Sequence, residues 1–254
     1  MSRFFTEPQN IGENYIVIDS REDIHHMMKV LRLKPGDIID ISDSSEWEYK
    51  AEILCLEKDR AEARILDKQK FTAEPDVDIT LFQGIPKQGK MEVIVQKAVE
   101  LGVNRIVPVF MKRTVVTDKG NFSKKTDRWQ KVSAESVKQC RRGIIPRVSA
   151  AVKMNEITGS FGDFDIVLFP YENEKGLTIK DALREFVMKS RKIRAAGEKA
   201  KIAVIIGPEG GFSDEEAEAV KSAGGISVSL GKTTLRTETA GMAALAMIMY
   251  ELEL

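Results

Sequence analysis

Apolar and polar residues follow two different rhythms along the chain. In residues 1–73 the period is short. "YIVID", "DIIDISD", "WEYKAEILCLEK" and "RAEARILDKQ" are brief runs with alternation or β-branched residues, and each predicts a strand. "KPGD", Lys34 to Asp37, predicts a turn, and "REDIHHMMKVLRL" predicts one helix. Several short strands punctuated by turns in so few residues predict a small β-barrel.

From residue 74 the rhythm changes. "VDITLFQ", "RIVPVF", "FDIVLFP", "KIAVIIG" and "ISVSL" are mostly apolar and read as buried strands. Between and after them, "GKMEVIVQKAVELG", "TDRWQKVSAESVKQC", "TIKDALREFVMKS", "SDEEAEAVKSAG" and "TETAGMAALAMIMYELEL" carry helical spacing, and Gly102 stops the first of these helices. Such alternation predicts an α/β domain whose mainly parallel sheet is covered on both faces. The seam between the two rhythms, "KQKFTAEPDVD", has linker chemistry, so the expected domains are residues 1–73 and 74–254.

Charge sharpens this division. Lys+Arg and Asp+Glu are both 39 in 254 residues, yet residues 1–75 carry a balance of −5 and the remainder +5. Residues 111–147 hold 11 basic residues against 3 acidic ones, Lys112, Arg113, Lys119, Lys124, Lys125, Arg128, Lys131, Lys138, Arg141, Arg142 and Arg147. That local excess in a neutral chain fits contact with phosphates. Cys55 and Cys140 are isolated, which argues against a disulfide framework and a zinc site. The start "MSRFFTEPQN" lacks signal-peptide character, and the longest apolar run, Ala240 to Tyr250, is too short to span a bilayer. A soluble cytoplasmic protein, with no membrane partner, is expected.

Ligands of parallel α/β sheets bind beyond the carboxyl ends of the strands. Three loops are expected there: Pro170-Tyr171-Glu172-Asn173, then Gly207-Pro208-Glu209-Gly210-Gly211, then Gly231 to Thr239. In the second, Gly210 and Gly211 allow positive φ and close backbone approach. Ser213 and Glu216 have the spacing of a capping box. Glu209 inside the glycine loop argues against a phosphate cradle and for a ribose hydroxyl or a substrate N–H; the pattern is neither G-x-G-x-x-G nor a P-loop. In the third loop, Thr237 and Thr239 are candidate helix caps, with Arg236 near the same crevice.

"IGPEGGFS" followed by "LRTETAGMAAL" resembles the SPOUT superfamily of RNA methyltransferases. Within it the chain resembles the ribosomal RNA small subunit methyltransferase E family, which methylates N3 of a uridine in 16S ribosomal RNA. "HHMMKVLRLKPGDIIDISD", "QGIPKQGKMEVIVQKAVELGVNRIVPV" and "DRWQKVSAESVKQCRRGIIPRV" are similar to further signatures of that family, spread over nearly the whole chain. The resemblance implies a C-terminal SPOUT α/β domain with a trefoil knot, preceded by a PUA-like β-barrel that helps hold RNA. It also implies a homodimer acting on small-subunit ribosomal RNA, with an assembled subunit as the expected substrate. The cofactor implied is S-adenosyl-L-methionine. Carried onto this sequence, its site would use Leu168, Phe169 and Pro170; Ile206, Gly207, Glu209, Gly210 and Gly211; and Leu230, Gly231, Leu235, Arg236 and Thr237.

Methylation at N3 of uracil requires loss of a proton whose pKa is well above neutral. The only histidines, His25 and His26, lie in the first domain, so the usual general base is absent from the second. These adjacent histidines also lack the further ligands of a metal site, and no metal is expected. Arg236 is the expected catalytic group, stabilising negative charge on a uracil oxygen. A carboxylate, Glu209 or Glu238, and water are the candidate proton acceptors. Expected RNA contacts are Arg3, Lys124, Lys125, Arg128, Arg141, Arg142 and Arg147. The apolar last helix either packs in the core or crosses a dimer interface. Two other readings remain open here: a different SPOUT methylation, at a ribose 2′-O or another base, and a non-catalytic RNA-binding assembly factor.

Overall fold

A computed structural model of the chain describes residues 3–117, 120, 122–190 and 198–252. Two compact units emerge: Met1–Glu74 with Val137–Ile145, and Pro75–Ser136 with Pro146–Leu254.

In the first unit the alternating segments form strands β1 (Arg3–Phe5), β2 (Tyr15–Ile18), β3 (Ile38–Ser42), β4 (Trp47–Leu56) and β5 (Ala61–Lys70). Their order is β1-β3-β4-β5-β2, with β1 parallel to β3 and the other neighbours antiparallel. Thr6 Oγ1 donates to the Val17 carbonyl at 2.9 Å, joining the two ends of this path so that the sheet curls toward a barrel. Inward positions of the strands, among them Phe4, Ile16, Ile41, Ala51 and Ile53, make its core. The predicted helix divides. α1 (Arg21–His25), capped by Ser20, passes into a π-helical turn, His26–Leu31, that Arg32 ends in the left-handed region at φ 54°. His25 and His26 are both exposed.

The second unit has seven strands: β6 (Val77–Gly84), β7 (Arg105–Phe110), β8 (Arg147–Val148), β9 (Val152–Lys153), β10 (Ile166–Pro170), β11 (Ala200–Ile206) and β12 (Ile226–Val228). The sheet runs β12-β10-β11-β6-β7-β8, with β9 also on β7, and every pairing is parallel. The helices are α2 (Lys90–Glu100), α3 (Phe122–Cys140), α4 (Met154–Thr158), α5 (Ile179–Ser190), α6 (Asp214–Ser222) and α7 (Thr237–Leu252). α3 ends in residues that group with the first unit. Gly102 follows α2 at φ 90°, where a side chain would be strained. Strands β8 and β9, of two residues each, are too short to show a period in the sequence. Phe82, Val109, Phe169, Ile205 and Phe212 belong to one buried apolar cluster of this unit. No helix among the described residues is long and apolar enough to cross a membrane.

The consequence for function lies in the strand order. β10, β11 and β12 are contiguous and parallel, so the loops leaving their carboxyl ends emerge side by side.

Candidate functional site

Each of the three loops is fixed by its own hydrogen bonds. In the first, the Glu174 carboxylate accepts from Ser227 Oγ at 2.5 Å and from the N–H groups of Gly176 and Leu177 at 2.9 and 3.2 Å. The Ser227 hydroxyl, then these two amides, hold its pKa down at about 2. This ties the loop after β10 to β12.

The second loop folds back on itself. Gly211 N–H donates to the Pro208 carbonyl at 2.9 Å, and Gly211 sits at φ 67°. A Cβ on Gly207 would lie 3.2 Å from Gly211 Cα. The capping box of α6 is present: Glu216 N–H donates to Ser213 Oγ at 3.2 Å, and Ser213 N–H donates to the Glu216 carboxylate at 2.9 Å. Glu216 is buried and also accepts from Lys112 N–H at 2.7 Å, a partner the sequence pattern did not reveal.

The third loop corrects an expectation. Thr237 does not cap α7 with its side chain. Its hydroxyl is buried, donates to the Gly207 carbonyl at 2.6 Å and accepts from Gln83 Nε2 at 2.9 Å. The parallel register sets Ile206 beside Gln83, which brings the end of β6 under the second loop and within reach of the first turn of α7.

A cleft of about 490 Å³ opens between the three loops. That size suits a nucleoside-like small molecule. Pro170, Ile206, Gly207, Glu209, Gly211, Leu230, Gly231, Leu235, Arg236 and Thr237 all line it. Leu168 and Phe169 do not: both are fully buried in β10, and Phe169 supports the site by packing edge-on against Phe212, which does line it. Gly210 lies off the cleft, its carbonyl accepting from Arg113 Nη1 at 2.8 Å. The lining mixes apolar surface (Pro170, Ile206, Phe212, Leu230, Leu235) with backbone and carboxylate acceptors, a donor and acceptor set that fits an adenosine and an amino-acid moiety.

Two charged residues of the cleft contrast. Arg236 is exposed, and its side chain has no hydrogen bond or ion pair to any described residue. Glu209 is engaged: its carboxylate accepts from Lys87 N–H at 3.1 and 3.2 Å and from Lys90 Nζ at 3.1 Å. Burial alone would raise its pKa, but its own N–H, Lys90 and the Lys87 N–H outweigh that and hold it below the ordinary value. A carboxylate so satisfied is a weak proton acceptor.

Sequence reasoning missed Lys90, Phe212, Gln83 and Gly84 as site residues. Gly84 is required by close approach, since a Cβ there would fall 2.6 Å from Pro208 N. The signal was "QGIPKQGK", but its bearing on the second loop depends on β6 and β11 being neighbours, which spacing does not reveal.

The expected RNA contacts separate into exposed and engaged groups. Lys124, Lys125 and Arg128 are exposed on α3, with Arg128 pairing with Glu92 at 3.0 Å, and Arg147 is exposed at the start of β8. In the first unit Arg141 is exposed. Arg3 is mostly covered: it pairs with Glu48 and donates to the Arg141 carbonyl at 2.7 Å. Arg142 contradicts expectation. Its side chain is 5% exposed and pairs at 2.8 Å with that of Glu74, which is 4% exposed. Glu74 also accepts from the N–H groups of Gly143 and Ile144, so this is an internal ionic knot of the first unit rather than a phosphate contact. Lys119 lies outside the described residues.

Comparison with known proteins gives a consistent picture. Residues 73–249 match the model of an RNA methyltransferase domain, and residues 18–66 match that of an RNA methyltransferase PUA domain. The chain is 30% identical to the ribosomal RNA small subunit methyltransferase E of Bacillus subtilis, over 100% of this chain and 98% of the relative. The crystal structure of the protein of the same name from Neisseria gonorrhoeae, bound to S-adenosyl methionine, superposes with a TM-score of 0.82 at 29% identity, covering 98% of this chain and 97% of that one. A methyltransferase from Legionella pneumophila, in complex with the bound cofactor SAM, gives a TM-score of 0.80 at 28% identity, with 98% and 96% covered.

Proposed function

The chain belongs to the RNA methyltransferase family, and from that premise we propose that it transfers a methyl group from S-adenosyl-L-methionine to N3 of a specific uridine in small-subunit ribosomal RNA. The observation that carries this reading is the three-loop cleft, lined by Arg236 with no ion pair to a described residue, in a chain similar end to end to a relative bound to S-adenosyl methionine. The loops that line the cleft would hold the cofactor, Glu209 and the main chain of Gly207, Gly211 and Gly231 among them. When bound, the cofactor supplies an electrophilic methyl group on a sulfonium.

The residues of the chain do the rest. Loss of the N3 proton leaves an anion delocalised over the two oxygens flanking N3. The Arg236 guanidinium, a permanent cation with a planar set of donors, stabilises that charge on one of these oxygens. Residues 74–254 contain no histidine, and Glu209 and Glu238 are both paired with Lys90, so the proton passes to water in the open cleft. Loop backbone and apolar walls set the distance and line of attack, which is where positioning lowers the barrier most.

The wider reading follows the same premise. Residues 1–73 hold RNA, and residues 74–254 perform the transfer and contain the trefoil knot. The placement of β10 between β12 and β11, out of chain order, supports the crossing that a knot needs. Two copies pair through α7, whose middle, Ala240–Tyr250, is apolar all round yet exposes Met247 and Tyr250. The substrate is an assembled small subunit in the cytoplasm.

The test is to incubate the protein with labelled S-adenosylmethionine and small subunits from a strain lacking the modification, then digest the RNA to nucleosides. Label in 3-methyluridine is expected. Label in another nucleoside would keep the cofactor site and overturn the specificity, and absence of both label and cofactor binding would overturn the enzyme reading.

A further inference from the structure

Three segments distant in the chain meet at one ammonium. Lys90 stands in the first turn of α2 and lines the cleft. Its Nζ lies 3.1 Å from Glu209 Oε1 in the second loop and 3.4 Å from Glu238 Oε2 in the first turn of α7. The three side chains are partly shielded, at 33%, 26% and 21% exposure. Glu238 Oε2 is itself buried and makes no hydrogen bond, so Lys90 is its compensating cation among the described residues. Glu238 is two residues from Arg236.

We propose that Lys90 is a positioning residue that bolts the second loop to the start of α7 and so fixes where Arg236 stands at the cleft, a role that rests on the methyl-transfer reading above. The ammonium is already claimed by two carboxylates, so it acts through them rather than on the substrate. Without it, two carboxylates converge on one point with no cation between them. Their repulsion drives Glu209 and Glu238 apart, and both the cofactor loop and the Arg236 backbone move with them.

The experiment compares the parent chain with Lys90→Met, Lys90→Arg, Glu238→Gln and the Lys90→Met/Glu238→Gln pair. Cofactor affinity is measured by calorimetry without RNA, and turnover on small subunits at saturating cofactor. Lys90→Met should weaken cofactor binding by about fivefold or more, and should lower turnover further even when the site is saturated. Glu238→Gln in the Met background should restore part of both losses, because it removes one of the two repelling charges, and Lys90→Arg should retain most of both. A lysine needed only for folding would lower the melting temperature and leave cofactor affinity and turnover of the folded protein unchanged. Lys90→Met within about twofold of the parent in both measurements, or a double variant no better than Lys90→Met, would overturn the proposal. Failure of the parent chain to bind the cofactor would instead overturn the methyltransferase reading beneath it. Thermal melts of all variants separate these outcomes from unfolding.

Discussion

Thr237 and Gly207 are joined across two loops: the threonine hydroxyl donates to the glycine carbonyl at 2.6 Å while accepting from Gln83 Nε2 at 2.9 Å. One buried hydroxyl thus links the end of β6, the second loop and the start of α7. Thr237→Val keeps the shape and removes the link, leaving the Gly207 carbonyl unpartnered. Each unpartnered buried polar group costs about 1–3 kcal/mol, so denaturant unfolding should show a loss of that order, with weaker cofactor binding. Thr237→Ser should recover both. A valine variant as stable as the parent would mean the hydroxyl is not the tie.

Gly84 makes a second, steric tie. A Cβ there would lie 2.6 Å from Pro208 N, 2.7 Å from Pro208 Cδ and 2.9 Å from Gly207 C. None of these atoms is the tip of a flexible side chain, so the second loop must move. Gly84→Ala should cost about 1–3 kcal/mol, as overpacking does, and should reduce cofactor affinity in calorimetry. Unchanged affinity would show that the loop can shift without harm to the cleft.

Arg236 predicts the opposite combination. It is exposed and free of ion pairs with described residues, so Arg236→Ala should leave the melting temperature and cofactor binding nearly unchanged. If it stabilises the uracil anion, turnover should fall by about 10²–10³, the effect of removing one donor of this kind. Undiminished turnover in the nucleoside assay would end its catalytic role.

These residues show where the sequence was legible. The parallel sheet could be read because β6, β7, β10 and β11 are mostly apolar, and the α6 cap because Ser213 and Glu216 sit three apart. The ligand loops followed from strand–helix alternation alone. Thr237 misled because a threonine at a helix start has the spacing of a cap, and only the neighbouring strand shows where its hydroxyl goes. Arg142 misled because a charge run does not distinguish an exposed arginine from one buried against a carboxylate 68 residues earlier. Lys90 was silent for the same reason: its two partners are 119 residues and more away. Local chemistry is written locally, and long-range pairing is not.

Glu174 gives a pH prediction with a definite sign. Its carboxylate is held at about 2 against an ordinary 4.5 by the Ser227 hydroxyl and the Gly176 and Leu177 amides. A depressed acid stabilises the fold fully above its unfolded pKa, and that contribution disappears as pH falls through the folded one. The first loop should therefore lose its anchor between about pH 4.5 and pH 2. Glu174→Gln should lower the unfolding midpoint at pH 7, and the gap from the parent should close across that acid window. A gap independent of pH would assign the loss to packing.

The basic run divides into two testable parts. Lys124 and Lys125 are exposed on α3, whereas Arg142 is buried against Glu74. Charges that meet phosphates release counterions, so affinity falls with salt by about 0.7 log units per log unit of salt for each contact with a single strand. Lys124→Glu with Lys125→Glu should therefore weaken RNA binding and flatten that slope by about one to two units if both meet phosphates, with no change in stability. Arg142→Ala should do the reverse. It strands the Glu74 carboxylate in a buried site, a defect worth about 3–5 kcal/mol, and should lower unfolding stability while leaving the salt slope of the remaining folded protein unchanged. Filter binding across a salt series, run beside denaturant melts, separates the two. An unaltered slope in the lysine pair would remove that face of α3 from the RNA path.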